Sequence, residues 1–428
     1  MKRLLLAVLF SFLLLGCQGA SSLPVQPLTL TLWHGINPPA NRLIFERLVA
    51  EFNARQADLK IAPIYVGQAD QQFPKILTAI VGNSPPDLLW FDSLLTGRLV
   101  DLQGIVPLTD WLKQRDYLAN LDPSLLPGME WEGELWSVPF TTSNLAIFYR
   151  RDLFAQAGIA TLPRTWAELT QVAQQLTQDR DGDGRPEQYG LLLPLGKGEW
   201  TVFSWLPFWF SAGGEVVQGT LPLLSQASIK ALQFWQDLLQ MGVATLSAPE
   251  RGYEQEGFIQ GRVAMQITGP WTLGYLGQTG VPFGVMPMPQ SERPATIVGG
   301  ANVFVMRTEP LRQEAARRFL DYILSDEFQV NWGMQTGALP VTLSARQHPE
   351  YQKFLGEHPL LQVFLSQTQV AYSRPNGPNY NRLSNCLGRV IEATLLGQSP
   401  TAALAQTGQR CAGGGAITAP APANPRRE

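Results

Sequence analysis

Residues 28–33 read LTLTLW, 41–56 read NRLIFERLVAEFNARQ, 59–65 read LKIAPIY and 85–91 read PPDLLWF. The first stretch alternates apolar and polar side chains over a β-rich run, the mark of a half-buried strand. The second places Leu43, Phe45, Leu48, Val49 and Phe52 at helical spacing, which predicts an amphipathic helix. Leu59–Tyr65 reads as a second strand, Phe73–Val81 as a second helix, and Asp87–Phe91, opened by Pro85-Pro86, as a third strand. Strand, helix, strand, helix, strand predicts an α/β layer with a parallel sheet.

Outward from this unit the pattern continues. Trp136–Pro139, Leu145–Tyr149, Leu191–Pro194, Val263–Ile267, Phe283–Met286 and Asn302–Met306 read as short strands. Helices are expected over Arg151–Ala157, closed by Gly158, and over Trp166–Gln178, where Thr165 and Glu168 form a capping box. Further helices are expected over Trp200–Ala212, Ser228–Met241, Pro249–Gln260, Leu311–Leu324, Glu350–Phe354, Leu360–Gln369 and Arg382–Leu396. The tail, 412–428, is rich in Gly, Ala and Pro and carries no packing pattern, so it reads as disordered.

The chain has 428 residues, enough for two or three domains at roughly 100–200 residues each. Lys plus Arg is 32 and Asp plus Glu is 35, a net charge of −3, so the chain lacks the basic footprint of a nucleic-acid binder. Charged residues are only 16%, against about 25% in typical domains, and there are 12 Trp. Those indoles either fill cores or face a ligand.

Residues 1–17 read MKRLLLAVLFSFLLLGC. Lys2 and Arg3 precede an apolar run too short for a spanning helix of about 20 residues, which predicts a secretory signal peptide over 1–16. Leu14-Leu15-Gly16-Cys17 resembles a bacterial lipobox, which implies lipidation at Cys17. Residues 17–27 read as a tether. The expected mature protein is exported and held at the outer face of the plasma membrane, periplasmic or at the cell surface. In that oxidising setting Cys386 and Cys411 are candidates for one disulfide, the alternative being two free thiols.

Several phrases resemble one family in its order: LTLWHG (30–35), PPDLLWFDS (85–93), VPFTTSNLAIFYRRDLFAQAGI (138–159), TWAEL (165–169), DGDGRPEQYG (181–190), ITGPWTLGYL (267–276), IVGGANVFV (297–305) and TGALPV (336–341). The family is the extracellular solute-binding proteins of ABC importers, in the group that takes sugars and sn-glycerol 3-phosphate. The resemblance covers about residues 28–410. It implies a two-lobed α/β fold of the type II periplasmic-binding-protein kind, with a hinge and an interlobe cleft. Chain crossings are expected near Phe140–Ser143, Ile297–Gly300 and Pro340–Ser344. Lobe one would be 28–140 plus 299–341, and lobe two 142–297 plus 345–410.

A sugar needs paired hydrogen-bond partners for its hydroxyls and flat apolar surface for its C–H faces. Candidates follow strand ends, where ligands bind in open α/β sheets. They are Trp33 and His34 after strand one, Gln68 and Asp70 after strand two, Asp92 and Ser93 after strand three, and Ser143 and Asn144 at the first crossing. Trp200, Trp205, Trp209 and Trp271 offer rings, Gly299 and Gly300 bare backbone, and Arg374 and Tyr380 lie in the loop SRPNGPNYN (373–381). Each has a plainer reading. His34 can be a solvated loop residue, and Asp70 and Asp92 can cap the following helices. Trp205 and Trp209 are four apart, so a core stripe is the default and at least one is expected in the core. Trp271, after Gly269-Pro270, matches the family's cleft Trp.

Asp179, Asp181 and Asp183 have calcium-loop spacing, but Gly190 stands where a full loop needs a bidentate Glu. A loop of Asx turns is the favoured reading. No cofactor is expected. A secreted glycoside hydrolase is the enzymatic rival, and it needs two carboxylates set across a bond; Asp70 and Asp92 sit in no catalytic motif. The expectation is therefore a monomeric binder that delivers a neutral sugar, a disaccharide or glycosyl-polyol, to membrane permease subunits. Glycerol 3-phosphate is the second reading, since it needs positive charge and the candidate loops offer mainly Arg374.

Overall fold

The computed structural model describes residues 27–37, 39–67, 69–217, 221–249 and 254–412. The opening unit folds as β1 (Leu28–His34), α1 (Pro39–Ala54), β2 (Leu59–Tyr65), α2 (Ala69–Val81) and β3 (Leu88–Phe91). β2 and β3 flank β1, both parallel to it, with Leu28 opposite Leu59 and Leu32 opposite Leu88. Asp87, buried at the head of β3, accepts from Thr31 N at 2.7 Å and from Arg312 Nε at 2.5 Å, which ties β1 and β3 to a helix of the later chain.

The chain then enters β4 (Ser137–Asn144) and β5 (Ala146–Arg150). The second lobe continues with α3 (Trp166–Leu176), β6 (Tyr189–Leu193), α4 (Glu199–Ser211), α5 (Gln226–Gln240), β7 (Ala244–Leu246), β8 (Val263–Thr268) and β9 (Phe283–Met286). β10 (Thr296–Val305) returns to the first lobe, followed by α6 (Pro310–Ile323) and α7 (Asp326–Thr336). The last part holds α8 (Pro349–Glu357), α9 (Pro359–Ser366), β11 (Ala371–Tyr372), α10 (Tyr380–Leu395) and α11 (Pro400–Ala412). Of the region expected to be a helix over 249–260, residues 250–253 lie outside the described residues and Glu256–Ile259 is helical.

Two sheets result. The first has the order β11-β10-β3-β1-β2, with β4 also paired to β10; the second has the order β9-β5-β8-β6-β7. The expected parallel sheet is therefore only partly parallel. β10 runs antiparallel to both β3 and β4, and β5 antiparallel to β8 and β9. The reason is the crossings. β4 and β10 are single strands that pass from one lobe to the other, paired from Val298 opposite Asn144 to Phe304 opposite Ser137. Their pattern reads as shorter pieces because Pro139, Gly299 and Gly300 interrupt the alternation. Gly300 has φ +131°, and a Cβ there would stand 2.1 Å from the Thr141 carbonyl oxygen. No other residue fits this close approach. Thr142, in β4, also forms an isolated antiparallel bridge with Leu339.

Each lobe has its own core. Phe45, Phe140, Phe319, Phe328 and Trp332 fill the first, with Phe140 and Trp332 rings 5.1 Å apart. In the second, α4 is apolar all round and is buried over nearly its whole length, as such a helix must be. Trp166, Trp205, Trp209 and Trp235 lie in that core. Cys386, in α10, is disulfide-bonded. Cys411 stands in α11, which packs along α10, but its side chain lies outside the described ones, as do Cys17, residues 1–26 and the 413–428 part of the tail.

Candidate functional site

The site grows from the loop 373–379, between β11 and α10. α10 packs in the second lobe, while the loop itself is fastened to the first. Asn376 Nδ2 donates to the carbonyls of Pro127 and Glu130 at 3.0 and 2.8 Å, its carbonyl accepts from Gly97 N, and Ser373 Oγ donates to the Ser124 carbonyl. Thus, within 345–410, residues 373–379 touch the first lobe. The loop carries Arg374 into the seam between lobes, where it is buried.

Arg374 holds the two lobes' acids. Its Nη2 donates to Asp92 Oδ2 at 2.9 Å, from the end of β3, and its Nη1 to Glu199 Oε1 at 2.8 Å, from the first turn of α4. Its guanidinium carbon lies 4.7 Å from the centre of the Phe203 ring, a cation–π contact. Burial works against its charge, but Asp92 and Glu199 hold it protonated, above the ordinary arginine range. Tyr380 Oη donates to Glu199 Oε1 at 2.8 Å, and Ser384 Oγ to Glu199 Oε2. Burial, with the Glu199 charge, pushes the Tyr380 phenol well above its usual value, so it stays neutral and donates. Both carboxylates keep contact with water, Asp92 at 29% and Glu199 at 36% side-chain exposure. One cation therefore faces two anions, and free acceptor lone pairs remain on the exposed side.

Ser93, Thr141, Gly299, Gly300 and Arg374 line a cavity of about 20 Å³ beside this group, room for about one water. A Cβ at Gly299 would lie 2.8 Å from Ser143 Oγ and 2.9 Å from the Phe203 ring, so bare backbone lets these side chains close on the crossing. Beyond Phe203 the aromatic surface continues. Trp200 packs tilted on Phe203, with centroids 6.1 Å apart, and meets Trp271 edge-on at 6.2 Å. Trp271, in a short turn after β8, is 40% exposed. Trp200 Nε1 is buried and finds no partner among the described residues.

The structure thus brings together Asp92, Ser93, Ser143, Trp200, Trp271, Gly299, Gly300, Arg374 and Tyr380. Others lie elsewhere. Trp205 and Trp209 have no exposed surface, and Trp209 Nε1 donates to Ser228 Oγ at 3.0 Å. Both belong to the core, which corrects their place among the candidate ligand-facing rings: α4 has no polar face to turn outward, so everything past its first turn is enclosed. Asn144 is also buried, donating to the Phe364 carbonyl at 2.8 Å and accepting from Gln367, and so ties β4 to α9 and the segment that follows it. Asp92 does cap a turn, accepting from Leu94 N, while also meeting Arg374. Trp33 packs, half-buried, against the cluster around Ile76, Leu89 and Phe91. Gln68 lies outside the described residues, and Asp70 falls in α2 with its side chain undescribed.

His34 is not a solvated loop residue. It is buried at the end of β1 against Phe45 and Tyr65, and its Nε2 finds no partner among the described residues. Burial, reinforced by the charge of Arg42, lowers its pKa from 6.5 to about 4. It is neutral at physiological pH. Below its unfolded pKa the unfolded chain binds a proton that the folded one refuses, so stability is lost as pH falls from 6.5 towards 4, by about 3 kcal/mol at most. A His34→Gln variant should lose less stability than the wild type between about pH 7 and about pH 4 in denaturant melts. Equal losses would contradict this assignment.

In the acidic loop, Asp179 accepts from Gly182 N and Gly184 N, and Asp181 and Asp183 each accept from the backbone two residues on. The carboxylates of Asp179, Asp181 and Glu187 lie within 4.8 Å of one another and are exposed. The Asp side chains thus bind their own loop, the arrangement of an Asx-turn connection. Glu199, Phe203 and Ser384 were not legible as site residues. An acid in a first helical turn reads as a partner for the helix dipole, and only the fold brings Arg374 and Ser384 to it.

Residues 47–355 match the family described as bacterial extracellular solute-binding protein. The chain belongs to that family. It is the substrate-binding component of an ABC importer, not an enzyme, and it works by delivering its ligand to a permease. The binding protein is 26% identical over 399 residues to the sn-glycerol-3-phosphate-binding periplasmic protein UgpB of Brucella melitensis, covering 86% of this chain and 88% of that one. It is similar in structure to the cyclic alpha-maltosyl-1,6-maltose binding protein of Arthrobacter globiformis, with TM-score 0.78, 26% identity and coverage of 90% and 98%. It also shares the fold of Mycobacterium tuberculosis UgpB, solved with glycerophosphocholine, with TM-score 0.77, 21% identity and coverage of 90% and 97%. These neighbours confirm the two-lobed fold. Among the described residues no helix of the binding protein is long and apolar enough to cross a membrane.

Proposed function

We propose that this binding protein captures a neutral sugar, a disaccharide or glycosyl-polyol, in the cleft between its lobes. The observation that carries the reading is the charge balance around Arg374. One guanidinium faces the carboxylates of Asp92 and Glu199, both open to water, so these three groups together carry one negative charge and offer hydrogen-bond acceptors. Sugar hydroxyls suit such acceptors, and the rings of Trp200 and Trp271 suit sugar C–H faces. A phosphate would meet like charge. The second reading, glycerol 3-phosphate, is favoured by the UgpB relatives and by a buried arginine whose fork suits phosphate.

In this reading lobe one is 28–140 plus 299–341 and lobe two is 142–297 plus 345–410. They close by a hinge motion at the paired strands β4 and β10, because the closed form binds ligand more tightly. Gln68 and Asp70, which follow β2, would complete the first lobe's face. Residues 1–16 would be removed on export, and Cys17 lipidated, leaving a monomer tethered by 17–27 at the membrane surface. Cys386 and Cys411 would form the disulfide.

A thermal-shift screen of neutral mono-, di- and oligosaccharides beside sn-glycerol 3-phosphate tests the ligand. A micromolar sugar at a hundredfold excess over Kd stabilises by about 2.7 kcal/mol, an easily measured rise in melting temperature. A rise with glycerol phosphate and with no neutral sugar would overturn the neutral reading.

A further inference from the structure

We propose that Glu199 is a specificity-determining residue: its charge closes the Arg374 fork to phosphate-bearing ligands and keeps the cleft for neutral ones. The inference rests on the reading that Arg374 faces the ligand, and it goes further by assigning the discrimination to one side chain. Bidentate recognition of a phosphate uses two parallel N–H groups of a guanidinium. In Arg374 both terminal nitrogens already hold carboxylates, Nη1 on Glu199 and Nη2 on Asp92, and the centre of the Phe203 ring lies 4.7 Å from its guanidinium carbon. An anion would have to displace a carboxylate or sit beside two of them. Glu199 is not easily displaced, because Tyr380 and Ser384 donate to its two oxygens from α10.

The two acids differ in duty. Asp92 also caps the turn Ser93–Leu95 through Leu94 N, so its carboxylate serves the local fold. Glu199 follows Gly198, the N-cap of α4, which has no side chain to cap the helix, and the carboxylate of Glu199 meets Arg374, Tyr380 and Ser384. Its partial exposure places its charge where an approaching ligand meets it. Removing that charge leaves Arg374 paired once, by Asp92, and turns the local sum from negative to neutral.

Glu199→Gln keeps the size and hydrogen-bonding atoms while deleting the charge. Calorimetric titration with sn-glycerol 3-phosphate, in phosphate-free buffer, is expected to show affinity gained by roughly tenfold or more in the variant over the wild type. Glu199→Ala, which also opens the space beside Nη1, should show the same gain. Adding Arg374→Met to Glu199→Gln should abolish it. Circular dichroism melts of each variant establish that the fold is intact. If the wild type ignores glycerol phosphate and both Glu199 variants ignore it too, the inference fails while the neutral-sugar reading stands. If the wild type binds it as tightly as the variants do, both fail.

Discussion

Replacing Arg374 with alanine is expected to abolish ligand binding and to destabilise the protein. The guanidinium is the shared partner of Asp92 in one lobe and Glu199 in the other. Its loss leaves two like charges facing each other across the seam. Breaking a buried pair costs about 3–5 kcal/mol, and the low end, about 3 kcal/mol, applies here because both acids reach water. The closed arrangement of the lobes loses its central ionic contact as well, so a ligand gains less from closure. Arg374→Lys should rescue little. A single ammonium cannot span two carboxylates placed on separate nitrogens. Titration with the ligand found by screening, together with a denaturant melt, measures both effects. Near-wild-type binding by Arg374→Ala would contradict the site.

The second large effect concerns the tryptophans. Trp209→Ala should cost about 3–5 kcal/mol of stability, the range for removing a large aromatic from a packed core. It also leaves Ser228 without the indole partner it now has. Trp271→Ala should change stability little, because that ring is 40% exposed, yet weaken sugar binding by roughly tenfold through loss of a flat apolar surface. Urea melts and ligand titrations on the two variants separate the roles. A Trp209 variant of normal stability, or a Trp271 variant with normal affinity, would undo the division.

That division also shows how far the residues speak for themselves. The first lobe's β1-α1-β2-α2-β3 unit is plain from periodicity, since each element buries one face and exposes the other. The capping box at Thr165 and Glu168 is local chemistry and is visible locally. The strands β4 and β10 are harder to read, because a strand that changes lobes part-way changes which face is buried. Trp205 and Trp209 share a face four residues apart, but α4 has no polar side from which to tell inward from outward. Glu199 becomes a site residue only when residues 374, 380 and 384 fold back onto it, a contact far apart in sequence. His34 is visible as a candidate from its place after β1, but its burial behind Tyr65 and Phe45 is a matter of packing alone.

The central claim is that a neutral ligand is held at the seam built around Arg374. Calorimetric titration of one preparation of the mature protein, with a neutral maltosaccharide panel and with sn-glycerol 3-phosphate, tests it most directly. The account predicts saturable one-to-one binding of a neutral sugar and no heat from glycerol phosphate. Saturable binding of glycerol phosphate, with every sugar silent, would contradict it.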